Sequence, residues 1–282
     1  MLIVDSQVHI WGANTPKTPW PKDHIKPHRD TPFMKEELLS QMITAGVDCA
    51  VLVPPIWQGD SNEFALEAAR SHPQRFSVMG RIDTSTEASK ELICGWRSQP
   101  GLMGIRVVPR REPLRSQWAN GQINWLWAEC AKAQVPVMVL IDIAQINLIV
   151  SVAQRYPELK IILDHLCLPS GAKDEAAFGN IEPVLALAQY PNIAVKASSM
   201  PSFTKDTYPF LSLHTPLRRF YDAFGPQRMF WGTDLSHIPC TYQEALHLFT
   251  QALPWLTQED KTWMMGRGIC EWIDWRNAGA AL

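Results

Sequence analysis

The chain has 282 residues, a net charge of −2 and 46% hydrophobic residues. That is ample material for a large core, and the balance gives no reason to expect nucleic acid or an anionic membrane as partner. Six scattered cysteines (Cys49, Cys94, Cys130, Cys167, Cys240, Cys270) contain no CxxC pair, which argues against a zinc module or a disulfide framework and fits a reducing compartment. The apolar run before Asp5 is too short for a signal peptide, and no uninterrupted apolar stretch approaches the roughly 18 residues of a membrane span. A cytoplasmic protein is therefore expected, with no bar to a homo-oligomer.

Strand 1 is read at residues 2–11. With a period of two, Asp5, Gln7 and His9 share one face, and Val4, Val8 and Ile10 the other. On an antiparallel surface strand the polar face would lie in water; in a barrel wall it would look inward. Residues 12–32 carry five prolines with Trp20 and read as an irregular loop or lid. Helix 1 is expected over 33–45, stopped by Gly46. Strand 2 follows at 49–53, and helix 2 runs from an Asp60 or Ser61 cap to about 72.

Strand 3 (76–80), helix 3 (86–98) and strand 4 (103–108) come next, then a loop with Arg110, Arg111 and Arg115. Helix 4 (123–133), strand 5 (137–142), helix 5 (146–156), strand 6 (160–165), helix 6 (176–189) and strand 7 (193–198) continue the alternation. A second proline-rich loop (Pro201, Pro209, Pro216) precedes helix 7. Strand 8 (229–234), a helix from Tyr242 and a closing helical stretch at 258–275 complete the chain. Eight strand–helix alternations predict an α/β fold, a single (β/α)8 TIM barrel domain spanning residues 1–282. An open doubly wound sheet is the runner-up, without the Gly-rich phosphate loop that would favour it.

Barrel sites form at the carboxyl ends of the strands. Polar residues fall there repeatedly: His9, Arg106, Asp142, His165, Lys196 with Ser198, and Asp234. Parity puts Ile161, Leu163 and His165 on one face of strand 6, and Ala194, Lys196 and Ser198 on one face of strand 7. One such residue is ordinarily a turn or cap residue; six converging on one mouth point to a site.

These residues carry a resemblance. Asp5-Ser-Gln-Val-His9-Ile-Trp11, Gly104-Ile-Arg106, Asp164-His165 and Phe230-Trp-Gly-Thr-Asp234 resemble the signatures of the amidohydrolase-related TIM-barrel hydrolases. That family includes carbohydrate-acid lactonases and the 2-pyrone-4,6-dicarboxylate lactonase. The resemblance runs from strand 1 to the final helix and implies a hydrolase opening a lactone or similar cyclic ester of a small carboxylated or sugar-derived substrate. The alternative it implies is non-oxidative decarboxylation of an unsaturated or aromatic acid, which usually relies on a firm metal centre.

The departures matter equally. The family's His-x-His on strand 1 is here Gln7-x-His9, Arg106 lies near the position of the bridging lysine of binuclear members, and Asp142 replaces a histidine on strand 5. An amide oxygen is a poor partner for a transition metal beside an imidazole. The resemblance therefore implies either no required cofactor or one weakly held zinc or manganese ion on His9, His165 and Asp234. Catalysis is assigned to Asp234 as general base, with His165 and His9 orienting water or polarising a carbonyl. Arg106 is expected to hold a carboxylate of an anionic small-molecule substrate, joined at the substrate by Gln7, Asp142, Lys196 and Trp57.

Overall fold

The computed structural model describes residues 1–22, 26–86 and 88–280. Positions 23–25 of the first proline-rich loop and position 87 of the expected third helix lie outside the described residues. Eight strands line up in chain order: β1 (Val4–Val8), β2 (Cys49–Leu52), β3 (Phe76–Gly80), β4 (Leu102–Val107), β5 (Val137–Val139), β6 (Ile161–Leu163), β7 (Ile193–Ser198) and β8 (Met229–Gly232). Every adjacent pair is parallel, and helices fill the connections. This is the (β/α)8 barrel expected from the alternation.

The first and last strands meet through a seam. The Asp234 amide donates to the Gln7 carbonyl at 2.8 Å, and the Thr233 amide donates to the Asp5 carboxylate at 2.8 Å. Gly232 permits the approach, because a Cβ there would come within 2.6 Å of Ser6 Oγ. Asp5 also accepts from the Thr233 hydroxyl, the Gln7 amide (3.0 Å) and the Tyr242 hydroxyl (2.9 Å). Its carboxylate staples the two strands from beneath the helix Tyr242–His247.

Apolar packing forms two layers. Inside the barrel, Val4, Val51, Met79, Met138, Ile162, Ala194 and Phe230 pack together, closed at the bottom by Ile269, Ile273 and Trp275 of the terminal helical segment. The alternate strand residues, among them Val8, Val78, Leu163, Val195 and Trp231, pack outward against the helices. Burial on both sheet faces is what all-parallel sheets require.

Two parity expectations are corrected. Val4 joins the inner layer while Val8 and Ile10 join the outer one, because the pairing register shifts between Asp5 and Val8. Asp5 therefore lies in the seam and does not share the inward face of Gln7 and His9. On β6 the inward residue is Ile162, with Ile161 and Leu163 outward. The inward face passes next to Asp164, not to His165.

Smaller boundary differences have local causes. The second helix is Glu63–Ser71, capped by position 62 and not by Asp60 or Ser61; the Asn62 side chain instead clasps the Arg81 backbone from both its amide atoms. Gly46 ends the first helix (Lys35–Ala45) in the left-handed conformation at φ 79°, as expected. All six cysteines are free thiols. No helix among the described residues is long and apolar enough to cross a membrane.

Candidate active site

The carboxyl ends of β1, β4, β6, β7 and β8 bring together Gln7, His9, Arg106, Asp164, His165, Lys196, Ser198 and Asp234, all buried or nearly so. They are arranged in two tiers. The floor is built on Asp164. Its Oδ2 accepts from Arg106 Nε at 3.0 Å and its Oδ1 lies 2.8 Å from Lys196 Nζ. Lys196, wholly buried, also donates to Gln7 Oε1 and touches Met138 Sδ at 3.3 Å. Burial opposes ionisation of Asp164, but Lys196 and Arg106 outweigh it and hold the carboxyl well below its ordinary range.

The upper tier is looser. His9 Nδ1 meets the Val53 carbonyl at 2.6 Å, while its Nε2 lies 3.4 Å from Asp234 Oδ1 and 3.4 Å from Gln7 Nε2. His165 Nδ1 pairs with Ser198 Oγ at 2.8 Å, and its Nε2 lies 3.9 Å from Asp234 Oδ2. Residues 165–167 all adopt positive φ, 50° at His165, so the chain curls back over the mouth after β6. This turn, and not strand parity, brings His165 to Asp234. Asp234 also takes positive φ (57°), held by its amide bond to Gln7 and by the His237 amide on its own carbonyl.

Electrostatics separate the tiers as well. Burial pushes the Asp234 carboxyl up to about 7, against the pull of Arg106 and Lys196. Its Oδ1 is buried and accepts no hydrogen bond among the described residues. Burial, with the cations Lys196 and Arg106 beyond Asp164's opposing charge, pushes His165 down to about 3. Burial, with Arg106 and His28, lowers His9 well below its ordinary value. At neutral pH the site holds two neutral imidazoles around one carboxyl poised to gain or lose a proton, a constellation suited to acid–base work.

Other expected residues lie elsewhere. Lys196 and Gln7 sit in the floor, both wholly buried and bonded to each other. Asp142 stands on the rim: β5 ends three residues earlier, and Asp142 caps the turn Ile143–Gln145 and pairs with Arg110 at 3.1 Å. Arg106 turns its Nε to Asp164 but also lines a neighbouring cavity of about 410 Å³ together with Arg81, Arg111, Thr84 and Ser85. Trp57, on the turn Ile56–Gln58, meets the His9 ring edge-on at 5.9 Å.

The sequence reading passed over three participants. Asp164 was read only as part of the Asp164-His165 pair, and the two-residue inward rhythm Ile162–Asp164 was the signal that could have found it. His28 and His237 approach from the two loops that roof the mouth, their rings 4.9 Å apart, with His28 bonded to Ser236 Oγ at 2.8 Å. His28 stands 5.8 Å from His9 and 4.8 Å from Trp57. Loop residues carry no periodicity, so only their position in space reveals them.

Among the described residues no three His, Cys, Asp or Glu side chains converge closely enough to ligate an ion. The Gln7 oxygen, the one extra donor on β1, is engaged by Lys196. The Arg106 guanidinium and the Lys196 ammonium beside the candidates also oppose a further positive charge.

Comparison with known proteins places this geometry. Residues 4–267 match the sequence profile of the family described as amidohydrolase. The L-fucono-1,5-lactonase of Burkholderia ambifaria is 22% identical over 240 residues, 82% of this chain and 79% of that one. The 4-sulfomuconolactone hydrolase of Hydrogenophaga intermedia is 25% identical over 239 residues, 83% of this chain and 74% of that one. A crystal structure of a Burkholderia multivorans amidohydrolase with bound zinc superposes with a TM-score of 0.80 at 19% identity, over 97% of this chain and 99% of that one. With the profile matched along nearly its whole length, the chain belongs to the amidohydrolase family.

Proposed function

We propose that this protein hydrolyses a lactone or similar cyclic ester of a small anionic or sugar-derived acid, with Asp234 as the general base. The observation that carries the reading is the Asp234 carboxyl, pushed up to about 7 by burial and flanked by two neutral imidazoles at the barrel mouth. The relatives named as a lactonase and a lactone hydrolase support the same class of reaction.

In this mechanism Asp234 takes a proton from a water whose oxygen attacks the ester carbonyl carbon. The carbonyl oxygen gains the negative charge and needs a donor. With Ser198 donating to His165 Nδ1, the His165 Nε2–H fills that role. As the ring C–O bond breaks, the departing alkoxide recovers the proton from Asp234, and the product is the open hydroxy acid. The free arm of Arg106 reaches the adjoining cavity, where with Arg81 and Arg111 it suits a substrate carboxylate. Trp57 offers an apolar wall beside His9.

Decarboxylation is the second reading of the family resemblance, and the relatives named as a lactonase and a lactone hydrolase favour the first. A panel of lactones and aromatic acids separates the two. Acid release from lactones, with no carbon dioxide from the acids, is expected; turnover of the acids alone contradicts the proposal.

A further inference from the structure

We infer that Gln7 is a positioning residue: it transmits the orientation imposed by the buried Lys196 ammonium to His9, fixing that imidazole as the Nδ1–H tautomer with its Nε2 lone pair turned toward Asp234. The argument needs only what each group can donate or accept. An ammonium only donates, so the atom of the Gln7 amide that meets Lys196 Nζ must be the oxygen. Lys196 cannot turn away, because its charge is tied to Asp164 Oδ1 at 2.8 Å and both side chains are wholly buried. The Gln7 NH₂ therefore faces His9 Nε2 at 3.4 Å, which must accept. From the other side, the Val53 carbonyl only accepts, so His9 Nδ1 at 2.6 Å must carry the proton.

Two independent partners thus specify the same tautomer. The consequence is a division of labour between the histidines. His9 can accept a proton or a hydrogen bond from the Asp234–water pair but cannot donate to the substrate carbonyl, so that donation falls to His165. The amide itself does not titrate, which a histidine at position 7 would.

The kinetic part of the test rests on the hydrolase reading; the spectroscopic part stands without it. Proteins with ¹⁵N-labelled histidine are compared for wild type, Gln7→Glu and Gln7→Leu, with His9→Gln used to assign the His9 signals. Wild type should show a protonated Nδ1 and a bare Nε2. Gln7→Glu keeps an acceptor for Lys196 but turns a carboxylate oxygen toward His9; with the Val53 carbonyl still accepting from Nδ1, the ring should then carry a proton on both nitrogens, so Nε2 becomes protonated. Gln7→Leu should release the Nε2 constraint and broaden or shift that signal. The His165 and His237 signals report the intact fold. With a substrate in hand, both variants should lose about 10- to 100-fold in kcat, the usual scale for a residue orienting a catalytic imidazole, with KM little changed. A wild-type His9 protonated at Nε2, or a Gln7→Glu variant whose His9 signals match wild type, overturns the inference whether or not lactones are turned over. An unchanged kcat in Gln7→Glu on an established substrate overturns its catalytic half.

Discussion

The two tiers of the barrel mouth are built from similar residues to opposite ends. In the floor, the one carboxylate of Asp164 is held between two cations, Lys196 at 2.8 Å and Arg106 at 3.0 Å. Above it, His9 and His165 stand 3.4 and 3.9 Å from Asp234, at or beyond the reach of a good hydrogen bond. A buried ionic network is stable only when every member is paired, and pairing removes its freedom to react. The floor is a rigid footing; the tier above keeps its polarity unsatisfied for substrate and water.

That contrast can be broken from the floor first. Asp164→Asn leaves the buried Lys196 and Arg106 without their counter-charge and should destabilise the fold by about 3–5 kcal/mol, the scale of an uncompensated buried charge. Chemical denaturation measures it, and a loss near zero would mean that the floor is not a paired network. In the upper tier the expected pattern inverts. Asp234→Asn should leave the fold intact but lower turnover by about 10²-fold or more, the scale of lost acid–base catalysis.

Arg106 belongs to both tiers and should show a mixed signature. Arg106→Met should raise KM by roughly tenfold if the guanidinium binds a carboxylate equally in ground and transition states. A substrate analogue without the carboxyl group should show little further loss in that variant, and an equal loss would assign Arg106 to the floor alone. The smallest effect expected is from chelation. Prolonged treatment with a strong chelator should leave the rate within about twofold if His9, His165 and Asp234 act without an ion; loss restored by zinc or manganese would show that they hold one.

How far the sequence could reach follows from the same geometry. Eight alternations made the barrel legible, and Asp234 and His9 stand where their strand ends placed them. His165 was placed in the mouth by a parity that β6 does not obey; three successive left-handed residues do that work, and no periodicity announces them. A register shift hid the outward turn of Asp5, since a single extra residue reverses every face beyond it. Asp142 was read as part of strand 5, but the strand stops at Val139 and the carboxylate becomes a cap. Lys196 and Gln7 turn inward as expected, but how deeply they are buried could not be read from either strand. Depth is a property of the closed barrel, not of one strand.

The central claim is that Asp234 is the ionising base of a lactone-opening enzyme, and the pH dependence of kcat/KM tests it most directly. The carboxyl is raised from 3.8 to about 7, so the active, deprotonated form should accumulate as pH rises. The rate should climb in proportion to hydroxide below that value and level off above it, with His9 and His165 neutral throughout because their own values are lowered. Asp234→Asn should abolish the limb and leave only the residual rate. A limb near pH 7 that survives in Asp234→Asn, or near-full activity in that variant, would assign the base to another group.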